Sequence, residues 1–85
     1  MTMTEIMIGT VTDFFSRPVV AGIDLIDTLK KGEHIHILGN TTDLEIPVES
    51  LQVDHYDVAI ALPGQSVGVK VPERVRKGDH VYRVI

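Results

Sequence analysis

The chain contains no cysteine and no tryptophan, and only two phenylalanines and two tyrosines stand among its 85 residues. Without thiols there is neither a disulfide framework nor a thiolate metal site, and the composition suits a reducing compartment. With 44% of residues apolar and so few rings, the core has to be built from Val, Ile, Leu and Ala, which suit closely packed strands better than a roomy substrate cavity. Long apolar runs are missing as well: no stretch approaches the roughly 20 residues of a bilayer-spanning helix. Met1-Thr2-Met3-Thr4-Glu5 lacks the basic start and apolar run of a signal peptide. The expectation is a soluble, cytoplasmic protein with no membrane partner.

Positive charge is scarce in one region. Residues 41–60 carry Asp43, Glu45, Glu49, Asp54 and Asp57 with no Lys or Arg, whereas the final twenty set Lys70, Arg74, Arg76, Lys77 and Arg83 against Glu73 and Asp79. The net charge of −4 makes general phosphate binding unfavourable, because counterion release needs clustered cations, but leaves one basic face for local contacts. The length gives room for one domain, residues 1–85, and a chain this short buries only roughly 60–65% of its unfolded surface.

What the sequence does have is a repeated device. Lys30-Lys31-Gly32-Glu33-His34-Ile35 returns 46 residues later as Arg76-Lys77-Gly78-Asp79-His80-Val81: two cations, glycine, an acid, histidine and a β-branched strand. Glycine between polar residues is where the backbone takes a positive φ without steric cost, so each copy predicts a tight turn launching a strand. Around these turns the pattern is that of strands. Ile6 to Val11 reads as a strand buried on both faces with a bend or close backbone approach at Gly9, and Val19 to Ile26 pairs with it as a hairpin across Ser16-Arg17-Pro18. Asp27 to Leu29 suits a short helical turn. Ile35 and Ile37 alternate with His34 and His36, and Leu44, Ile46 and Val48 alternate with Glu45, Pro47 and Glu49. The apolar spacing then shifts to Leu51 and Val53, as at a bulge or corner.

Tyr56 to Leu62 is open between strand and helical turn, Pro63-Gly64 is a turn, and Val67, Val69 and Val71 form the penultimate strand before His80 to Ile85. About six strands, a corner and no long helix predict an all-β domain closed into a small six-stranded barrel, which would leave no exposed edge. The glycines Gly9, Gly32, Gly64, Gly68 and Gly78 are assigned to backbone geometry.

Gly9-Thr10-Val11, Leu29-Lys30-Lys31-Gly32-Glu33, Val48-Glu49-Ser50, Ala61 to Gly68 and Arg76-Lys77-Gly78 follow the order of motifs in the second domain of translational GTPases, and the chain resembles that domain of elongation factor Tu over nearly its whole length. The resemblance implies the six-stranded β-barrel of the elongation factor and reductase common domain. No Gly-x-x-x-x-Gly-Lys-Ser/Thr loop is present, so no GTP and no other cofactor is expected. In that family a carboxylate and an asparagine of the second domain help to hold the aminoacylated 3′ end of tRNA; Glu49 matches the first, and Ser66 stands where the asparagine would be. The implied function is a stand-alone, non-catalytic module that binds tRNA, rRNA or a protein of translation or RNA modification. Its contacts would be Glu49, Ser66 and the basic turn Arg74, Arg76 and Lys77. The alternative is a protein-interaction adaptor docking its acidic strand, Asp43 to Asp57, on a larger enzyme.

Two further groups have a chemical and a bland reading. His34 and His36 share a strand face at a spacing used by metal sites, yet two ligands are fewer than zinc needs, and a solvent-facing register accounts for them. His55 beside Asp54 and Asp57 lacks a Ser or Cys nucleophile in an elbow, so no catalytic residue is assigned.

Overall fold

The computed structural model describes residues 4–85, and every described element is a strand. β1 (Glu5–Ser16) and β2 (Val19–Leu25) form an antiparallel hairpin around Arg17-Pro18, with Ser16 opposite Val19. They are followed by β3 (Leu29–Lys30), β4 (His34–Leu38), β5 (Asp43–Pro47), β6 (Leu51–Val53), β7 (Tyr56–Asp57), β8 (Ile60–Ala61), β9 (Ser66–Lys70) and β10 (His80–Val84). Eight of them pair in the order β5-β4-β10-β1-β2-β9-β6-β7, and β3 pairs with β8 separately. Thus the all-β class stands, while the ladders themselves leave two ends, at β5 and β7, rather than closing a ring. The chain links those ends in another way: residues 48–50 lead from β5 directly into β6, which pairs with β9 on the far side.

Asp27 to Leu29 makes no helical turn; a bend there leads into β3. The first strand is buried on both faces only around Ile8, Gly9 and Val11, and beyond residue 11 it runs outward, ending with Phe15 half exposed. Two bulges explain its change of direction, one between Met7 and Gly9 and one between Val11 and Asp13. At Gly9 a Cβ would lie 2.5 Å from the carbonyl oxygen of Asp24, so only glycine fits the approach of β2. The buried core is aliphatic: Ile8, Ile23, Leu29, Ile35, Ile37, Leu51 and Val81 are among its fully enclosed side chains. Each such residue adds roughly 1.5–3 kcal/mol by leaving water.

The repeated turn occurs three times rather than twice. In Lys30–Glu33, Leu62–Gln65 and Arg76–Asp79 the third residue is a glycine with φ of +95°, +89° and +91°, and the fourth folds its side chain back onto the amide of the first. The acceptors are Glu33 Oε1 at 2.7 Å, Gln65 Oε1 at 2.8 Å and Asp79 Oδ2 at 2.9 Å. Each glycine amide then donates to the carbonyl of a buried residue, Val48, Leu25 or Val11, whose own amide donates to the carbonyl of the turn's fourth residue. Every turn is therefore clasped onto the core by a pair of backbone bonds. The third copy escapes a search for basic-basic-Gly-acid because Leu62-Pro63 replaces the cations and neutral Gln65 replaces the acid.

Candidate functional site

The outer face of the sheet around β2 contains a shallow trough, and the register explains it. Gly22 of β2 lies opposite Gly68 of β9, with Asp13 of β1 beside Gly22 and Gln52 of β6 beside Gly68. Four strands thus contribute one row whose two middle members have no side chain. Neither glycine has a positive φ, so the backbone does not demand them. Phe15 and Val20 rise on one side of the row and Asp24 and Ser66 on the other, with the Ser66 hydroxyl donating to Asp24 Oδ1 at 2.6 Å. The resulting groove has a volume of about 510 Å³ and reaches Arg17 and Pro18 at the hairpin tip and Asp54 and His55 at the β6–β7 turn. Asp54 and His55 have φ of +51° and +68°, the left-handed conformation of a two-residue hairpin loop that Asn-Gly would fill with less strain.

A second polar feature crosses the opposite part of the sheet. His36 of β4 places Nδ1 2.9 Å from Glu5 Oε2 on β1 and Nε2 2.6 Å from Asp43 Oδ1 on β5, reaching past Tyr82 on β10. Two carboxylates are satisfied at once only when both ring nitrogens carry protons. The hydrogen bond to Asp43, then that to Glu5, raises the pKa of His36 above its ordinary 6.5 against the opposing effect of burial. A raised folded-state pKa makes this contribution complete below about pH 6.5 and removes it as pH climbs through the folded value. Wild-type protein is expected to melt at a lower temperature at about pH 8 than at about pH 6, with His36→Gln removing that difference; equal slopes for both proteins would contradict the bridge.

Both His36 nitrogens being engaged leaves none for a metal, His34 is exposed, and among the described residues no group of three or more His, Cys, Asp or Glu is placed to hold one. The residues proposed from sequence as RNA contacts do not converge. Ser66 lines the trough, whereas Glu49 lies in the bend after β5, in a smaller depression with Lys70 and Pro72. Arg74 lies 5.7 Å over the Phe14 ring, Arg76 donates from Nε to Thr41, and Lys77 is exposed on its turn. The glycines Gly32, Gly64 and Gly78 sit in the three clasps, Gly9 at the close approach, and Gly68 in the trough floor.

No protein-family model matches the chain. Its fold superposes on the C-terminal domain of a Geobacillus thermoleovorans protein described as a U32 peptidase, with a TM-score of 0.83 over 89% of each chain at 15% identity. The fold is that of this peptidase C-terminal domain. The selenomethionine form of the same domain gives 0.84, covering 89% of this chain and 96% of that one. In sequence the chain is 47% identical over 79 residues to an uncharacterized protease of Methanocaldococcus jannaschii, and 34% identical over 84 residues to a collagenase of Porphyromonas gingivalis. It spans 92% and 96% of its own length in these matches but only 19% and 20% of the relatives.

These likenesses overturn the translation-factor reading. The superposing domain and the sequence relatives are named for peptidases, so the RNA-binding module, its tRNA, rRNA or translation-machinery partners and the adaptor alternative are all withdrawn. The expectation of a non-catalytic module that is not an enzyme is corrected by the same names, a protease and a collagenase, which suggest a domain of an enzyme family. The physical reason for the error lies in what carried the resemblance. Three of its five motifs contain the clasped glycines and a fourth contains Gly9, and such residues report turn and close-approach geometry rather than a ligand. Among the described residues no helix is long and apolar enough to cross a membrane.

Proposed function

We propose that this chain is the β domain of a U32-type peptidase and that its part in proteolysis is to engage the peptide being cut. The match to the Methanocaldococcus protease, 47% identity across 92% of the chain, carries the reading. A face-on trough with a bare backbone floor, beside half-exposed Phe15, offers a surface on which an extended chain can lie. We read the sheet as a six-stranded cylinder in which β5 and β6 act as one bent strand, joining β4 on one side and β9 on the other. Its cysteine-free composition suits work in a reducing cytoplasm.

The test is a replacement. The matching segment of the Porphyromonas collagenase is exchanged for this chain, and hydrolysis of gelatin is compared with that of the parent and of a deletion lacking the segment. The expected result is a chimera that cleaves like the parent while the deletion does not. A folded chimera as inactive as the deletion would remove the proposal.

A further inference from the structure

The trough is unusual because neither of its two glycines is demanded by a positive φ. Strand glycines weaken a sheet, since they lose more entropy and offer no side chain to pack, and they mark places where something approaches the backbone closely. Gly68 has an ordinary strand conformation, and a Cβ there would meet only Val20 Cγ1, at 3.3 Å. Gly22 is more crowded, with its Cβ position 3.1 Å from Asp13 Cβ. Among the described residues no strand is paired over the row, which lies in the floor of the open groove.

The rim indicates what that molecule carries. Asp13 stands beside Gly22 across the β1–β2 ladder and Asp24 two residues along β2 on the same outer face, both exposed. One oxygen of Asp13 accepts from the Phe14 amide at 2.8 Å and one of Asp24 from Ser66, which leaves each carboxylate a second oxygen facing solvent. Across the row from Asp24, Phe15, 52% exposed, and Val20 form an apolar wall, with Asp13 at the β1 end of the row between them. An apolar wall with one carboxylate at the end of the row and another across it matches the stem and head of lysine or arginine, whose methylenes pack on carbon while the cation takes charge-assisted hydrogen bonds. Asp54 adds a third carboxylate to the surroundings of the groove, against Arg17 at the hairpin tip and Lys70 opposite Val20.

We infer that the trough over Gly22 and Gly68 binds an extended peptide segment and seats a Lys or Arg side chain of it between the Phe15–Val20 wall and the carboxylates of Asp13 and Asp24. This rests on the peptidase reading for its choice of a peptide and adds the side-chain preference and the residues that impose it.

The experiment titrates the isotope-labelled 85-residue chain with short Ala/Ser peptides bearing a central Lys, Gln or Glu, followed by amide chemical shifts. The Lys peptide is expected to move the amides of Asp13, Gly22, Gln52 and Gly68, and to bind about three- to tenfold more tightly than the Gln peptide. Asp13→Asn with Asp24→Asn should bring the Lys peptide down to the affinity of the Gln peptide. Gly68→Val should abolish binding of both while the domain keeps a cooperative thermal transition, because valine suits a strand and the one close atom is the end of the Val20 side chain. Shifts confined to the β5 edge, equal affinity for all three peptides, preference for the Glu peptide, or unchanged binding by Gly68→Val would each overturn the inference. Peptide binding here with an inactive collagenase chimera would leave the trough standing and remove the peptidase reading; an active chimera without shifts in the trough would do the reverse.

Discussion

Valine at position 32 or 78 is expected to lower the stability of this domain by about 1–3 kcal/mol, which at about 4–8 °C per kcal/mol for a domain of this size means a fall in Tm of roughly 5–20 °C. Both glycines have φ above +90°, and a Cβ built on either meets nothing within 4 Å. The loss is therefore one of backbone conformation alone, since there is no neighbour to collide with. A β-branched side chain suffers most in that region, and asparagine, which tolerates left-handed backbone better, should cost less at the same positions. Thermal denaturation followed by far-UV circular dichroism decides the matter. Unchanged melting temperatures for both valine variants would show that the clasps do not hold the turns.

The second large effect is a coupling. Asp79 is only 5% exposed, caps the Arg76 amide, and lies where a side chain at Gly39 would have to go: a Cβ on residue 39 would overlap the Asp79 carboxylate. Asp79→Ala should cost about 1.5–3 kcal/mol, as expected for a hydrogen bond accepted by a charged group and lost from a part-buried amide. Gly39→Ala should cost a similar amount by expelling the carboxylate from its seat. Once Asp79 is alanine the obstruction is gone, so the double variant should be more stable than the sum of the two losses by about 1 kcal/mol or more. Strict additivity in chemical denaturation would mean that the two residues do not share the space.

Features that a single residue imposes were readable in the sequence. Positive φ favours glycine, so Gly32, Gly64 and Gly78 announced their turns, and the alternation of Ile35 with His36 or Val67 with Gly68 announced strands with one inward face. Two-residue strands such as β7 and β8 have no period to detect. The trough was illegible for a different reason. It arises because Gly22 lies opposite Gly68 and Asp13 lies beside Gly22 after a bulge, and such registers are decided by the whole sheet rather than by any local pattern. His36 was noticed for its spacing from His34, whereas its partners come from β1 and β5, a placement that only the pairing of β4 with β10 and β10 with β1 produces.

The position of β10 has a consequence for biosynthesis. It follows the other nine described strands in chain order, yet it lies in the middle of the sheet, with Glu5 opposite Val84 on one flank and His34 opposite Val84 on the other. While its residues are still inside the ribosome tunnel, β1 and β4 have an empty lane between them, and the ladders nearest the centre join the most distant parts of the nascent chain. Such distant pairing is slow to find. Folding of this domain must therefore wait for the arrival of residues 80–84, and until then β1 and β4 each present an unpaired border that a chaperone is suited to shield.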